Sequence, residues 1–212
     1  MNADSTYDSN ASAPANPTKL ADFIIWVDGV GGFLICCGLQ NKIGQAIPDS
    51  DVTVPLRGDL DRIHARIETV EDRHLLHSVG TVSVDGYRLR EPAVLIHGQT
   101  IQLGDTVAIG YRKPHPLSST AVLDFVSRHR TFPWSDAALI AGDSIVLGNQ
   151  SRNHIVCPRW KHELILFRRR NEWFCKTKAT AFLDGSTLTA DSALQDKSRV
   201  EGDDFSFSIE AI

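Results

Sequence analysis

Short apolar runs separated by turn residues occupy the chain after residue 20. Strict alternation of apolar and polar positions marks several of these runs, among them residues 52–56, 65–68 and 82–85. A period of two is the pattern of a strand with one buried and one wet face. Turn residues follow at short, regular intervals, and no helical period accompanies them. The pattern predicts an all-β fold built as sandwiches.

Other runs are continuously apolar. Residues 21–27 (ADFIIWV), 33–37 (FLICC) and 137–140 (AALI) predict further strands. Residues 121–125 (AVLDF) leave two interpretations open, a short helical turn or a strand that closes the first half.

A polar, basic segment with a proline, residues 127–133 (SRHRTFP), separates two stretches of strand pattern. Landmarks of the first stretch recur in the second after about a hundred residues, which predicts two domains in tandem rather than a solenoid. The matched landmarks are Gly44 with Gly148, His64 with His162, Gly86 with Gly185, and Gly98 with Gly202. We therefore predict a disordered tail at 1–20, a first domain at 21–126, a linker at 127–133 and a divergent second domain at 134–212.

Composition and charge exclude several functions. The formal net charge of −4 gives no basic footprint for nucleic acid or for an anionic membrane, and no run reaches the length of a membrane span. The four cysteines show no metal-ligand spacing, which indicates reduced thiols in a cytoplasmic protein. No nucleotide-binding or nucleophile motif occurs, so we expect no catalytic residues, no metal, no cofactor and no enzyme activity.

One stretch carries a recognisable order of features. A strand ends in Ile43-Gly44, a polar loop leads to a strand at 52–54, and Arg62-Ile63-His64-Ala65 introduces the next strand. Asp85-Gly86 follows twenty residues later. This order resembles the forkhead-associated (FHA) domain, a β-sandwich that binds phosphothreonine through loops at one end. The resemblance implies two tandem FHA-like β-sandwiches, the second one divergent.

The resemblance also implies which positions of the first copy would hold phosphothreonine. The family's phosphate-binding Arg position carries Gln45, its Ser position carries Asp61, and its two peptide-holding Asn positions carry Gly80 and Asp85. A carboxylate has no donor at neutral pH and repels a phosphate dianion. The candidate binding residues of this copy are Gln45, Arg57, Asp61, Arg62 and Asp85, while Gly44, His64 and Gly86 are structural.

The second copy differs. The same alignment gives Asn149 at the Arg position and Arg159 at the Ser position, and its structural residues are Gly148, His162 and Gly185. Its surroundings are basic and could attract an acidic or phosphorylated segment by charge. The candidate residues are Asn149, Arg152, Arg159 and Lys161.

Three functions remain open from the sequence. The first is non-enzymatic protein–protein recognition in intracellular signalling, with phosphothreonine binding lost or weakened in both copies. The second is an assembly module that oligomerises or acts as a scaffold, and the third is a phosphopeptide binder that uses the arginines of the second copy. The expected partner is a protein segment, phosphothreonine-bearing or acidic, and neither nucleic acid nor membrane. No oligomeric state follows from the sequence.

Overall fold

The protein is all β. A computed structural model describes residues 21–115, 117–170 and 172–212, and the tail predicted at 1–20 lies outside them. The described residues form 22 strands and no helix. The predicted all-β fold class is confirmed, and residues 121–125 form a strand.

The strands are numbered in chain order. The first eleven are β1 Phe23–Val27, β2 Gly31–Cys36, β3 Gln40–Gln45, β4 Val54–Leu56, β5 Ala65–Val70, β6 Arg73–Ser78, β7 Val82–Val84, β8 Tyr87–Arg88, β9 Ala93–Val94, β10 Thr100–Leu103 and β11 Val107–Arg112. The next eleven are β12 Ala121–Phe125, β13 Ala137–Ile140, β14 Ser144–Gly148, β15 Ile155–Val156, β16 Leu164–Arg169, β17 Glu172–Thr177, β18 Ala181–Leu183, β19 Ser186–Thr187, β20 Ala193–Leu194, β21 Arg199–Gly202 and β22 Ser206–Ala211.

Three sheets result from the pairing of the described strands. A large sheet has twelve strands in the order β19-β18-β21-β22-β1-β2-β13-β12-β11-β10-β7-β8. The first small sheet is β4-β3-β5-β6-β9, and the second small sheet is β15-β14-β16-β17-β20. The two small sheets have the same order when β3 is matched with β14, and the two ends of the large sheet mirror each other about the parallel pair β2–β13.

The four central strands of the large sheet, β1, β2, β13 and β12, are buried on both faces. Successive side chains of a strand point to opposite faces, and here they enter two different cores. Ile24, Leu34, Leu123 and Ala138 belong to the first core, under the first small sheet, whereas Ile25, Ile35, Val122 and Leu139 belong to the second core, under the second small sheet. The large sheet is therefore a middle layer with a small sheet on each side.

Burial on both faces explains the continuously apolar runs of the sequence. A strand with two buried faces has no polar side to alternate with. The runs FII, LIC, AVL and AALI all fall on the four central strands. Alternating runs fall on strands with one wet face, such as Val107–Arg112.

Strand pairing crosses the predicted linker. Strand β1 pairs with β22 near the end of the chain, and β2 pairs with β13. Strand β12 in turn lies between β11 and β13. The division into domains at 127–133 remains a prediction, and the pairing shows that each half contributes strands to the core of the other.

The two halves also share unusual backbone conformations. Positive φ angles recur at positions 99 residues apart in four pairs: Glu71 with Arg170, Asp85 with Asp184, Gly86 with Gly185, and Gly98 with Lys197. This spacing corrects one predicted landmark pair, since Gly98 corresponds to Lys197 and not to Gly202.

The histidine pair needs a similar correction. Ile43 pairs with Ala65 in the first small sheet, and Leu147 pairs with Leu164 in the second. The residue before Ala65 is His64, so its structural equivalent is Glu163, one residue after His162. The loop between β15 and β16 is one residue shorter than the loop between β4 and β5, which obscures this register in the sequence.

The four cysteines are free. Burial raises the pKa of Cys157 and of Cys175 to about 12, which makes both thiols poor nucleophiles. Within the described ranges, no helix has the length and apolarity that a membrane span requires.

We expect residues 134–212, expressed alone, not to fold cooperatively. The fragment lacks Phe23, Ile25, Val27 and Ile35, which belong to its core, and it lacks the strand that pairs with β22. Circular dichroism and urea unfolding would test this, with addition of residues 21–126 as the control that restores the missing strands. Cooperative unfolding of the fragment alone, at the stability of the whole chain, would contradict the shared-sheet arrangement.

We expect the free energy of unfolding to fall as the pH drops from about 6.5 to 4. Burial lowers the pKa of His74 and of His154 to about 4, so in this window the unfolded chain binds more protons than the folded one. The loss approaches about 3 kcal/mol for each histidine at the acid end. Urea unfolding at several pH values would measure it. His154→Gln should flatten the profile and the exposed-site control His97→Gln should not, whereas a flat wild-type profile would refute the prediction.

Candidate functional site

The loops at one end of the first small sheet meet at Gly44. A side chain at this position would collide with the backbone of Arg62 and Ile63, so the loop before β5 packs directly on the end of β3. The Gln45 N–H donates to the Asp61 carbonyl oxygen at 3.0 Å, and the His64 N–H donates to the Ile43 carbonyl oxygen at 2.8 Å. Glycine is needed here for close approach of two backbone segments.

His64 joins two loops from a buried position, the loop before β5 and the loop between β6 and β7. Its Nε2 donates to the Thr81 carbonyl oxygen at 2.9 Å, and its Nδ1 accepts the Asp61 N–H at 3.2 Å. Its own carbonyl oxygen accepts the N–H groups of Val79 and Gly80 at 3.0 and 2.9 Å. These hydrogen bonds to backbone groups hold the loops together and agree with a structural role.

The Asp61 side chain occupies the space between these loops. Its Oδ2 lies 3.1 Å from His64 Nδ1, and a side chain at Gly80 would collide with both groups. The position where the resemblance implies a phosphate-binding hydroxyl therefore presents a carboxylate, and the position of the peptide-holding amide has no side chain.

The charge around this hollow is acidic. The loops at 46–53 and 57–63 carry four carboxylates and two guanidinium groups. The Lys42 ammonium pairs with Asp51 and, by this hydrogen bond, lowers the pKa of that carboxyl. Gln45 and Arg62, from the segments that meet at Gly44, are both exposed to solvent. Uncompensated carboxylates disfavour a dianionic ligand here.

Asp85 has a structural role in the turn between β7 and β8. Its φ is 50°, its Oδ1 accepts the Thr100 N–H at 2.8 Å, and Gly86 follows with φ 83°. Asp184 and Gly185 repeat this turn, with Asp184 Oδ1 accepting the Arg199 N–H at 2.7 Å. Asp85 is thus committed to the hairpin that it closes.

The candidate residues of the second copy lie in different surroundings. In the corrected register, the residue equivalent to Asp61 is Trp160 and not Arg159. Trp160 is buried against Phe205, with 5.3 Å between the ring centroids. The Arg159 guanidinium donates to the Gly29 carbonyl oxygen at 3.3 Å.

The groove beside Arg159 is acidic. Asp28, Glu201, Asp203 and Asp204 line it, and Arg152 and Lys161 are not among its described lining residues. Asn149, Arg152 and Lys161 are exposed, but the structure does not bring them together with Arg159 in this groove.

His162 is exposed, unlike His64. Its Nδ1 lies 3.1 Å from Asp204 Oδ1, and the other carboxylate oxygen of Asp204 accepts the Lys161 N–H. The hydrogen bond from Lys161 lowers the pKa of the Asp204 carboxyl. Gly148 is packed closely, since a side chain there would meet Asn153 and Glu163.

Part of the first half of the chain has a match among known families. Residues 41–104 match the family model of the FHA domain. FHA domains are non-catalytic protein-interaction modules that generally recognise phosphopeptides. A comparison with curated proteins found no match. The matched residues include the loops that meet at Gly44 and His64, and the match ends at the start of the loop before β11.

A second surface borders the loop end of the FHA segment, residues 41–104. The loop between β12 and β13, residues 126–136, runs beside β4: the Arg57 N–H donates to the Arg130 carbonyl oxygen at 2.9 Å, and the Phe132 N–H donates to the Pro55 carbonyl oxygen at 2.9 Å. A groove of about 500 Å³ opens between this loop and the FHA segment. We call it the basic-aromatic groove, and its lining includes Arg57, Arg128, His129, Arg130, Phe132 and Trp134.

Most of the basic-aromatic groove was not among the predicted site residues. Only Arg57 was, and its guanidinium carbon lies 4.5 Å above the Phe132 ring instead of facing Asp61. The sequence signal was the spacing of two arginines and two aromatics in RHRTFPW, inside a segment that we interpreted as a linker. Recognising it required the position of this segment beside β4. Among the described residues, no cluster of His, Cys, Asp and Glu side chains suits a metal ion.

We expect Gly44→Ala to destabilise the fold by about 1–3 kcal/mol. The added methyl group would meet the Arg62 carbonyl group, which is backbone and cannot rotate away. The matched control is Gly38→Ala, whose nearest atom outside the neighbouring residues lies 3.5 Å away. Urea unfolding would compare the two. Equal stability of both variants would show that the loop does not depend on this contact.

Proposed function

We propose that this protein is a non-enzymatic protein-recognition module of intracellular signalling, built from two FHA-like copies whose phosphothreonine sites are both degenerate. The recognised partner is a protein segment, and the site of action is the cytoplasm. The FHA match on residues 41–104 supports the interaction role, and the repeated strand order of residues 144–211 supports a second copy.

One observation carries the degenerate-site part of the proposal. Asp61 Oδ2 lies 3.1 Å from the ring of the buried His64, above Gly80, at the centre of the loops where the family binds phosphate. Phosphate binding needs donors, preferably a guanidinium fork. This position instead offers acceptors only, and its neighbour Gln45 offers a neutral amide in place of a charge.

The scaffold around the lost ligands is intact, which supports retention of the fold for recognition without phosphate at this point. Gly44 still allows close approach of the loop before β5, and His64 still joins that loop to the loop between β6 and β7. The second copy supports the same conclusion, because Trp160 is buried at the position of Asp61 and carboxylates line the groove beside Arg159.

We expect the wild-type protein to bind phosphothreonine peptides no more tightly than about 1 mM at these loops. The double variant Gln45→Arg/Asp61→Ser replaces an amide by a guanidinium and a repulsive carboxylate by a donor, and it should gain about tenfold or more in affinity. Fluorescence anisotropy with a phosphothreonine peptide library, and with its unphosphorylated counterpart, would measure this.

The matched control is Asn149→Arg, which adds a guanidinium at the corresponding exposed position of the other half without replacing a carboxylate, and it should not gain affinity. Micromolar phosphopeptide binding by the wild-type chain that disappears in Asp61→Ala would overturn the proposal of degenerate sites.

A further inference from the structure

We propose that the basic-aromatic groove binds a short acidic segment of a partner protein, in which carboxylates or a phosphate stand next to an apolar side chain. This inference rests on the proposed recognition of a protein partner. It moves the contact from the degenerate phosphothreonine loops to the neighbouring loop between β12 and β13.

The charge of the groove points to an anion. Arg57, Arg128 and Arg130 lie on its lining, and no carboxylate is among the lining residues that the structure describes. None of the three guanidinium groups forms an ion pair with a described residue. This local excess of positive charge stands on a chain whose formal net charge is −4.

The arginines are held in a way that leaves donors available. The guanidinium carbon of Arg57 lies 4.5 Å above the Phe132 ring, and that of Arg130 lies 5.6 Å from the Trp134 ring. A guanidinium that stacks on a ring keeps its N–H groups in its own plane, where they can grip a carboxylate or phosphate. Arg130 Nη1 donates to the carbonyl oxygens of Ser127 and His129 at 2.9 and 2.8 Å, and its buried Nε has no hydrogen-bond partner among the described residues.

The aromatics supply an apolar contact beside the charges. Phe132 is 53% exposed and Trp134 is 55% exposed, although both are large side chains next to each other on one loop. Exposed aromatic and arginine side chains together are the residue types that dominate binding energy at protein interfaces. A partner with an apolar side chain next to its acidic groups would cover both features.

The loop is held in place before any ligand arrives. Thr131 and Ser135 are buried, and their hydroxyl oxygens lie 2.7 Å apart in a hydrogen bond. The Asp136 N–H donates to the Gly32 carbonyl oxygen at 2.7 Å, and Asp136 Oδ2 accepts the Gly32 N–H at 3.0 Å. A preformed loop loses little conformational freedom on binding.

Comparison of the two halves shows that the fold does not require this loop. The equivalent hairpin β1–β2 has a loop of residues 28–30, whereas β12–β13 has a loop of residues 126–136. The short loop borders the acidic groove at Arg159, and the long loop forms the basic-aromatic groove. The long loop carries two of the three arginines and both aromatic rings of the groove, which is the reason to assign a binding role to it.

A short peptide fits better than a nucleic acid. The loop next to the groove, residues 57–63, carries Asp59 and Asp61. The loop at 46–53 carries two more carboxylates, Asp49 and Asp51. A long polyanion would extend over these carboxylates, and binding would suffer from repulsion. A short acidic segment can end within the groove.

Fluorescence anisotropy tests the site with the full chain and four labelled probes. They are the peptide Glu-Glu-Leu-Glu-Glu, its version with phosphothreonine in place of the fourth residue, the neutral peptide Gln-Gln-Leu-Gln-Gln, and oligo-dT. We expect one or both acidic peptides to bind, with affinity that falls as salt rises, and the two acidic probes distinguish carboxylate from phosphate as the preferred anion.

The variants locate the contact. Arg128→Glu should lower the affinity about tenfold or more, and Trp134→Ala about fivefold or more. Matched controls are Arg90→Glu, another exposed arginine, and Phe182→Ala, another exposed aromatic, and both should bind as the wild type does. Near-ultraviolet circular dichroism checks that every variant is folded.

Equal binding of the neutral peptide, preference for oligo-dT, or unchanged affinity in both groove variants would each overturn the inference. So would the absence of binding by both acidic peptides. The phosphothreonine library of the preceding section tests the proposed function separately. If acidic-peptide binding depended on Gln45 or Asp61, and not on Arg128 or Trp134, the groove would not be the binding site. The proposed function, recognition of a protein partner, would still stand.

Discussion

Burial of four neighbouring strands on both faces is the constraint on which this structure depends. Strands β1, β2, β12 and β13 supply side chains to two cores at once, so neither core is complete without residues from the other half. A polar substitution at Ile24 or Ile25 would damage one core directly and shift the strand that supports the other. The two sandwiches are consequently linked by a shared layer, and this layer sets the position of every loop at their ends.

That layer also decides where a partner can bind. Because β12 runs antiparallel to β11, it ends beside the loops of the FHA segment, and the chain must return from there to β13. The return path passes β4 and brings Phe132 against Arg57. The loops of the FHA segment retain their structural residues, Gly44 and His64, but they present the Asp61 carboxylate where phosphate binding would need a hydrogen-bond donor. The neighbouring loop adds the guanidinium groups of Arg128 and Arg130, on a groove whose described lining carries no carboxylate.

The sequence predicts the strands and the hairpin turns well, because alternation and Asp-Gly turns are local signals. It identifies the FHA-like order from Gly44 to Gly86 for the same reason. It does not predict that β1 pairs with β22. Side-chain periodicity shows which faces of a strand are buried, but it does not show which strands pair with it or which sheet covers it. The equivalence of His64 with Glu163 was missed because the shorter loop before β16 shifts the register by one residue. The sequence does not predict the groove, because Arg128 and Trp134 line it only where the loop at 126–136 is hydrogen-bonded beside β4.

The parallel pair β2–β13 places the same strand of each half next to its counterpart, at the centre of a palindromic sheet. This is the geometry of a symmetric two-chain dimer, reproduced inside a single polypeptide. In a dimer of identical chains, every substitution appears twice. A single chain with two similar halves has no such restriction, and here the β1–β2 loop has three residues whereas the β12–β13 loop has eleven. The two ends of this molecule can therefore differ while the shared sheet stays the same.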